Sequence, residues 1–475
     1  MPAFLGTRLT SRRALASAAG LSTTAAGAWL LSSEHRRRLS WRAGELATTW
    51  MPAVYRRDPE AIAAYMDSSG PVFIKLGQWL STRRDLFSEE LCDAMGILHE
   101  KVSAQASTHD VQLARELAPG VEIHELLGAG CIARVYRGEL DGKAVAVKVR
   151  RENVETFLNL DMEILQAAAR VVLKLWPQYQ WLMLEKALDE FSFYMKSQTD
   201  FRNEASNLRR FRQNLTEGKM QAPEPYAVNE KVLIMELVKG ESLSTFLQEK
   251  HSAKLRHQVW SILSDQTAKM VLKDNFVHAD LHPGNVIVTL TEKKSFFRGA
   301  TTLVPTLTLI DAGMVFQLPS ATAECLKCAL NGALKHDPDA VGEAFVNIHH
   351  REGLCEPSMP QLSHQLGVLG LCCVFTCEEW LWSQVFPSRA AYLGARTTEY
   401  FHRMADILTQ NEVRVSPPLW SLLMSFALIE GSLQELGYRT NVLRSALPYI
   451  LSPSDISQRV SGALQCFLSE CLNTT

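Results

Sequence analysis

Read for alternation and helical spacing, the chain has a helical start, a strand-rich middle and a helical end. Lys143–Val149 is the clearest strand: Val145, Val147 and Val149 face one way, while Ala144, Ala146 and Lys148 face the other. Leu126 to Gly138 reads as strand, loop, strand, with Gly128 and Gly130 in the loop, and Val232–Val238 as an apolar strand ending in the polar link Lys239-Gly240. Asp58-Pro59-Glu60 supplies a capping Asp, a first-turn Pro and an acid facing the helix dipole, so a helix should begin there and break at Gly70-Pro71. In Val72–Leu80, Phe73, Leu76 and Leu80 form an apolar stripe, Lys75 and Gln78 share another face, and Gly77 allows a neighbour to approach closely. Helical spacing returns over 155–175, over 184–215, through Val259, Ile262, Leu263 and Met270, and from Pro319 onward. Thr291–Ser295 reads as a polar, hairpin-like insertion. The uncharged run Val415–Ile429 is too short to span a bilayer and reads as a core helix.

Two apolar runs end in acidic loops, one at Asp280 and one at Asp311, each followed by Gly within four residues, which suggests loops at the rim of a core. Asp280 with Asn285 five residues on, then Asp311-x-Gly313 after the next strand, is the order in which kinase-like phosphotransferases place a base and two Mg²⁺ ligands. Either acid alone is an ordinary turn; the joint order carries the reading. Ala146 two residues before Lys148 on one strand face leaves room for an adenine, then offers a cation for the α and β phosphates. Gly128-x-Gly130 lets backbone amides approach phosphates, although Ala133 stands where a third Gly would complete the motif. Glu236 and Val238 fit an inter-lobe hinge whose backbone groups meet adenine.

Composition adds limits. With 475 residues, 47% hydrophobic and 21% charged, the chain is globular and long enough for two or three packed units. A net charge of −2 argues against a general nucleic-acid binder, so no nucleic-acid partner is expected. The charge is uneven: residues 1–57 hold nine Arg, no Lys and two Glu. Arg8, Arg12 and Arg13 in an acid-free, Ser-rich start fit a mitochondrial targeting segment. The uncharged run from Ala14 to Ser33, before the basic run His35–Arg38, has the length of a membrane anchor. The ten Cys are irregularly spaced and read as free thiols; Cys325-x-x-Cys328 has no second pair beside it.

Lys75-Leu76-Gly77-Gln78, followed by Ser81–Phe87, resembles the KxGQ signature of the UbiB, or aarF-domain, family of atypical kinases. The resemblance runs from about residue 58 to the C-terminus. His278-x-Asp280-x-His282-Pro-Gly-Asn285, with Ala279 and His282 where a protein kinase has Arg and Lys, is similar both to that family's wording and to that of small-molecule kinases of the aminoglycoside and choline type. The resemblance implies an α+β, two-lobed protein-kinase-like fold. Its parts would be a leader with a candidate anchor (1–57), a helical KxGQ extension (58–125), an N-lobe with a helical insert (126–240) and a mostly helical C-lobe (241–475). It implies that Lys75 and Gln78 point into the active site and that the extension restricts protein substrates.

Gln198–Ala205 resembles the family's ExD...E segment, so Glu204 should pair with Lys148 to position phosphates, with Asp200 on the same helix face. Gln198 departs from the pattern, since it brings no negative charge. The chain also keeps two Gly where the family has an Ala-rich loop, and Asp311-Ala312-Gly313 replaces Asp-Phe-Gly. By resemblance, Asp280 orients or deprotonates the acceptor, Asn285 and Asp311 hold Mg²⁺, and His278 supports the loop. The implied cofactors are ATP and Mg²⁺. The implied activity is ATP hydrolysis or phosphorylation of a small molecule or lipid, in support of coenzyme Q synthesis and mitochondrial lipid metabolism at the inner membrane. The implied partners are a quinone precursor or lipid, the mitochondrial membrane and coenzyme Q biosynthetic proteins. The competing reading is a weakly catalytic nucleotide-binding scaffold that organises a membrane-associated complex; a trans-acting protein kinase ranks third.

Overall fold

The computed structural model describes residues 33–56, 58–81, 89–96, 98, 107–177, 184–294, 301–351, 353, 355–356, 358–374, 383, 397–411, 413 and 449. The targeting segment, nearly all of the candidate anchor, Thr82–Phe87 and the run Val415–Ile429 lie outside them. Among the described residues no helix is long and apolar enough to cross a membrane. The chain divides into two compact units, one of residues up to Ser206 with Pro225–Leu237, the other of Asn207–Glu224 with the residues from Val238.

The first unit opens with helices α1 (Glu34–Arg56), α2 (Pro59–Ser69), α3 (Pro71–Ser81), α4 (Glu89–Gly96) and α5 (Thr108–Leu117). As the sequence predicts, Asp58 caps α2, its carboxylate accepting from the Ala61 N–H at 3.0 Å, and Gly70 ends it at φ 107°. At Gly77 the helix is closely approached, as the sequence predicts: a Cβ there would press on the side-chain ends of Leu98 and Met66, which would have to shift. The unit's sheet runs β1 (Glu122–Ala129), β2 (Ala133–Leu140), β3 (Lys143–Arg150), β6 (Val232–Glu236), β5 (Pro225–Val228), every neighbour antiparallel. Val145, Val147 and Val149 are fully buried against Tyr136, Val232 and Ile234, each burial worth about 1.5–3 kcal/mol. Ala146 and Lys148, on the opposite face of β3, are buried too.

Two further helices, α6 (Val154–Leu175) and α7 (Leu184–Thr199), follow. A buried ion pair ties α6 to α1: Arg42 donates to Asp161 at 2.8 and 3.2 Å, and also to Glu45 and to the Ser69 carbonyl. Burial pushes the Asp161 carboxyl up, against the pull of the Arg42 guanidinium.

The single helical pattern over 184–215 resolves into α7 and a separate α8 (Phe201–Asn214). The break is at Asp200, whose carboxylate accepts from the Arg202 N–H at 3.0 Å and from its guanidinium at 2.7 Å. This local cap competes with continued helix. Asp200 therefore does not share a helix face with Glu204, contrary to the expectation from spacing.

The second unit holds a four-stranded sheet ordered β4 (Met220–Gln221), β10 (Thr301–Leu309), β9 (Val286–Lys294), β7 (Glu241–Ser242), and a small pair of β8 (Val277–His278) with β11 (Val315–Phe316). The polar, hairpin-like stretch is one arm of an antiparallel pair: Thr291–Lys294 are the outer half of β9, in register with β10 out to Lys294↔Thr301. Among the described residues it also holds helices α9 (Leu243–Gln248), α10 (Ala253–Leu272), α11 (Ser320–Leu334), α12 (Pro338–Arg351), α13 (Pro360–Val374) and α14 (Thr397–Gln410). Its core joins α10 through α14, from Val271 and Leu272 to Leu366, Leu369 and Leu408. Cys325 and Cys372 are buried free thiols within or beside that core, and Cys328 is an exposed one.

Candidate functional site

In the first unit, β3 and α8 bring Lys148 and Glu204 together. Lys148 Nζ donates to Glu204 Oε1 at 2.7 Å, with side-chain exposures of 11% and 3%, and lies 5.6 Å from the centre of the Phe201 ring. A charge this deep is tolerated because it is paired and hydrogen-bonded. Ala146, two residues earlier on that face, is opposite Met235 of β6, and Glu236 ends β6 half-buried.

Gly128 is the penultimate residue of β1, and Gly130 donates its N–H to the Ala133 carbonyl at 2.8 Å. A Cβ at Gly128 would meet nothing within 4 Å, and at Gly130 only the Ala133 carbonyl at 4.0 Å, so packing within the protein requires glycine at neither. On α3, Lys75 is half-buried and Gln78 donates its amide N–H to the Leu98 carbonyl at 2.9 Å. That bond commits the Gln78 amide group to the helical extension itself. Gln198, the uncharged member of its segment, has its amide oxygen buried without a hydrogen-bond partner.

In the second unit, Asp280, Asn285 and Asp311 sit half-buried in one set of interlocked loops, and Val238 follows the end of β6. The β8–β11 pair sets His278 opposite Val315, and the Ala279 N–H donates to the Met314 carbonyl at 3.0 Å. The Asp280 carbonyl accepts from Asn285 Nδ2 at 2.9 Å and from the His282 N–H at 3.0 Å. The next turn, Pro283–Asn285, is capped by His282 Nδ1, which accepts from the Gly284 N–H. The Ile310 N–H returns to the Asn285 carbonyl at 3.0 Å, and Asp311 Oδ1 accepts from the Gly313 N–H at 2.8 Å.

His278 is the hub of these loops. Its Nε2–H donates to the Asp311 carbonyl at 2.6 Å and its Nδ1 accepts from the Asp280 N–H at 3.1 Å, which fixes the neutral ring with the proton on Nε2. Full burial pushes its pKa down, in keeping with that neutral form. With both nitrogens bonded to backbone groups, the ring joins the two acidic loops.

A model of the ABC1 atypical kinase-like domain matches residues 123–345. The chain belongs to the ABC1 atypical kinase-like family. A mitochondrial ABC1 family protein of Saccharomyces cerevisiae is 32% identical over 81% of this chain and 66% of its own length. A mitochondrial ABC1 family protein of Schizosaccharomyces pombe is 24% identical over 83% and 65%. A probable protein kinase UbiB of Erwinia tasmaniensis is 28% identical over 50% of this chain and 47% of its own length. The chain thus spans just under two thirds of the two fungal proteins and about half of the bacterial one. The α+β, two-unit kinase-like architecture described above is the one this ABC1 membership entails.

Within the ABC1 domain, motif reading passes over Asn207. From α8 its Nδ2 donates to the carbonyl of fully buried Ala312 at 2.9 Å, directly beside Asp311. The Asp311 loop is therefore held at two successive carbonyls, by His278 and by Asn207. A mid-helix Asn with no local capping role is the only sequence signal of such a tie. Asn207→Ala leaves a buried carbonyl unsatisfied and is expected to cost about 1–3 kcal/mol, measured as a lower denaturant midpoint. Asn207→Asp, isosteric but unable to donate, should lose as much; full stability in both variants would show the bond to be dispensable.

Proposed function

We propose that this chain is an ATP-binding atypical kinase or ATPase that depends on Mg²⁺ and supports coenzyme Q biosynthesis and mitochondrial lipid metabolism. The observation that carries the proposal is the loop cluster that joins Asp280, Asn285 and Asp311 through hydrogen bonds at both backbone and side chain. In the first unit, Lys148, held by Glu204, presents its ammonium to the phosphates of ATP, while Gly128 and Gly130 admit them to the backbone amides. Ala146, with the hinge groups of Glu236 and Val238, receives the adenine. Lys75 and Gln78 of the extension limit which acceptors reach the site.

In the second unit, Asp280 takes or orients the proton of the acceptor. Asn285 and Asp311 are the residues that would hold Mg²⁺, and the donor set fits: both offer hard oxygens, and with its Nδ2 committed to the Asp280 carbonyl, Asn285 has its amide oxygen left to present. Mg²⁺, when bound, neutralises charge on the transferring phosphoryl group. The mitochondrial names of the two fungal relatives and the UbiB name of the bacterial one support the location and the quinone context, with a quinone precursor or lipid as acceptor at the inner membrane and coenzyme Q biosynthetic proteins as partners.

A second reading, a nucleotide-binding scaffold with little turnover, is favoured by one feature. Where the family's segment carries acids, Gln198 is neutral with a buried, unpartnered oxygen, and Asp200 is locked to Arg202, which holds its carboxyl below the usual range. The test compares the full chain with Asp311→Asn for Mg²⁺-dependent ATP binding and hydrolysis, with and without anionic lipid vesicles. Binding and turnover that fall together in the variant, turnover by at least about 10²-fold, support the phosphotransferase. ATP binding with no turnover in either protein, unaltered by lipid, moves the conclusion to the scaffold.

A further inference from the structure

A second group of ligating side chains lies in the second unit, where β7, α9 and the start of α10 meet. Glu241 Oε1, Glu249 Oε2 and His251 Nε2 all lie within 4.8 Å of one another, the only such group among the described residues. The imidazole nitrogen is 3.7 Å from Glu249 and 3.9 Å from Glu241, beyond hydrogen-bond reach of either. Nε2 is nonetheless sealed from solvent and has no hydrogen-bond partner. A buried polar nitrogen left in that state is costly.

The local sequence holds two of these three groups rigidly. Gly240, at φ 143°, packs so closely that a Cβ would strike the Val288 carbonyl, and this sets Glu241 opposite Val288 of β9. The His251 ring stacks on fully buried Phe246, with centres 3.9 Å apart and planes 9° from parallel. Just after it, Ser252 caps α10 by accepting from the Leu255 N–H. Glu249, which follows α9, is the exposed member and has freedom to swing.

We propose that Glu241, Glu249 and His251 form a binding site for a zinc-class divalent cation. Tetrahedral coordination at about 2.0–2.2 Å puts donor atoms roughly 3.3–3.6 Å apart, so the three atoms need to close by little more than the swing of Glu249. One imidazole with two carboxylates selects zinc or a similar transition metal over Mg²⁺, which prefers an all-oxygen shell. His251 Nε2 supplies the lone pair, Glu241 the fixed oxygen, and Glu249 the closing one; water takes the fourth position. The site stands independently of the phosphotransfer reading.

The test uses the full chain, freed of metal with a chelator and titrated with Zn²⁺ by calorimetry in millimolar Mg²⁺, with bound metal counted by elemental analysis. One Zn²⁺ per chain is expected, with affinity at least about 10-fold weaker in Glu241→Gln and in His251→Asn. Glu249→Gln, at an exposed position that folding does not need, should weaken it as well. Co²⁺ substitution separates this site from the thiols, including exposed Cys328: the imidazole–carboxylate set gives d–d bands without a thiolate charge-transfer band. Absence of Zn²⁺ binding, equal binding in all three variants, or a thiolate band that tracks the metal would overturn the proposal and leave a histidine–carboxylate cluster only.

Discussion

Asp280→Asn is expected to lower turnover by about 10² to 10⁴-fold while leaving the fold and ATP binding intact. The split follows from how Asp280 is held. Its N–H donates to His278, and its carbonyl accepts from Asn285 and from the His282 N–H, so the backbone fixes the loop. Asn has the same shape and keeps every one of these bonds. What it lacks is the negative charge that orients or accepts the acceptor's proton. Turnover, ATP affinity and the denaturant midpoint should be measured on the same preparation. A variant that loses stability together with turnover would assign Asp280 to the loop's architecture, and one that keeps full turnover would remove it from the chemistry.

Glu204→Ala should be among the most damaging single changes to stability. It removes the carboxylate to which Lys148 Nζ donates at 2.7 Å, in a position where that lysine is only 11% exposed, and breaking a buried pair in this way costs about 3–5 kcal/mol. The Phe201 ring, 5.6 Å from Nζ, recovers a small part through its attraction for a cation. Replacing both partners, as Lys148→Met with Glu204→Leu, should restore most of the stability, because both buried charges of the pair are removed together. ATP binding should be lost in the single and the double variant alike. That contrast separates packing from ligand contact: ATP affinity that recovers along with stability would show that the pair serves the fold and not the phosphates.

Much of the local structure was legible in the residues. The alternation of Val145, Val147 and Val149, the cap at Asp58 and the break at Gly70 each depend on neighbours in sequence, and the structure has all three. The order Asp280, Asn285, Asp311 was legible as a pattern, and the structure sets those residues in one loop cluster. What was not legible depends on competition or on distant partners. The break before α8 is decided by Asp200 and Arg202 capping a turn inside a stretch whose apolar spacing stays helical. Asn207 gains its role only because Ala312 is folded against it, more than a hundred residues away in the chain. Thr291–Lys294 read as a polar, hairpin-like insertion because exposed strand residues carry the same composition as a loop; pairing with Thr301–Val304 makes them one arm of the β9–β10 pair.

The contact of Arg42 with Asp161 bears on how much of α1 the fold needs. Arg42 belongs to the first described helix, yet it is the counterion for a carboxylate with no exposure to water, and it also holds the end of α2 through the Ser69 carbonyl. A truncation that stops ahead of α1 leaves both members of this pair in the chain. A cut past Arg42 would leave Asp161 an acid in oil, and α6 would lose the clamp that fastens it to the helical extension. The chemistry of one buried carboxylate thus marks how far into the chain a truncation can reach before it removes a part of the fold.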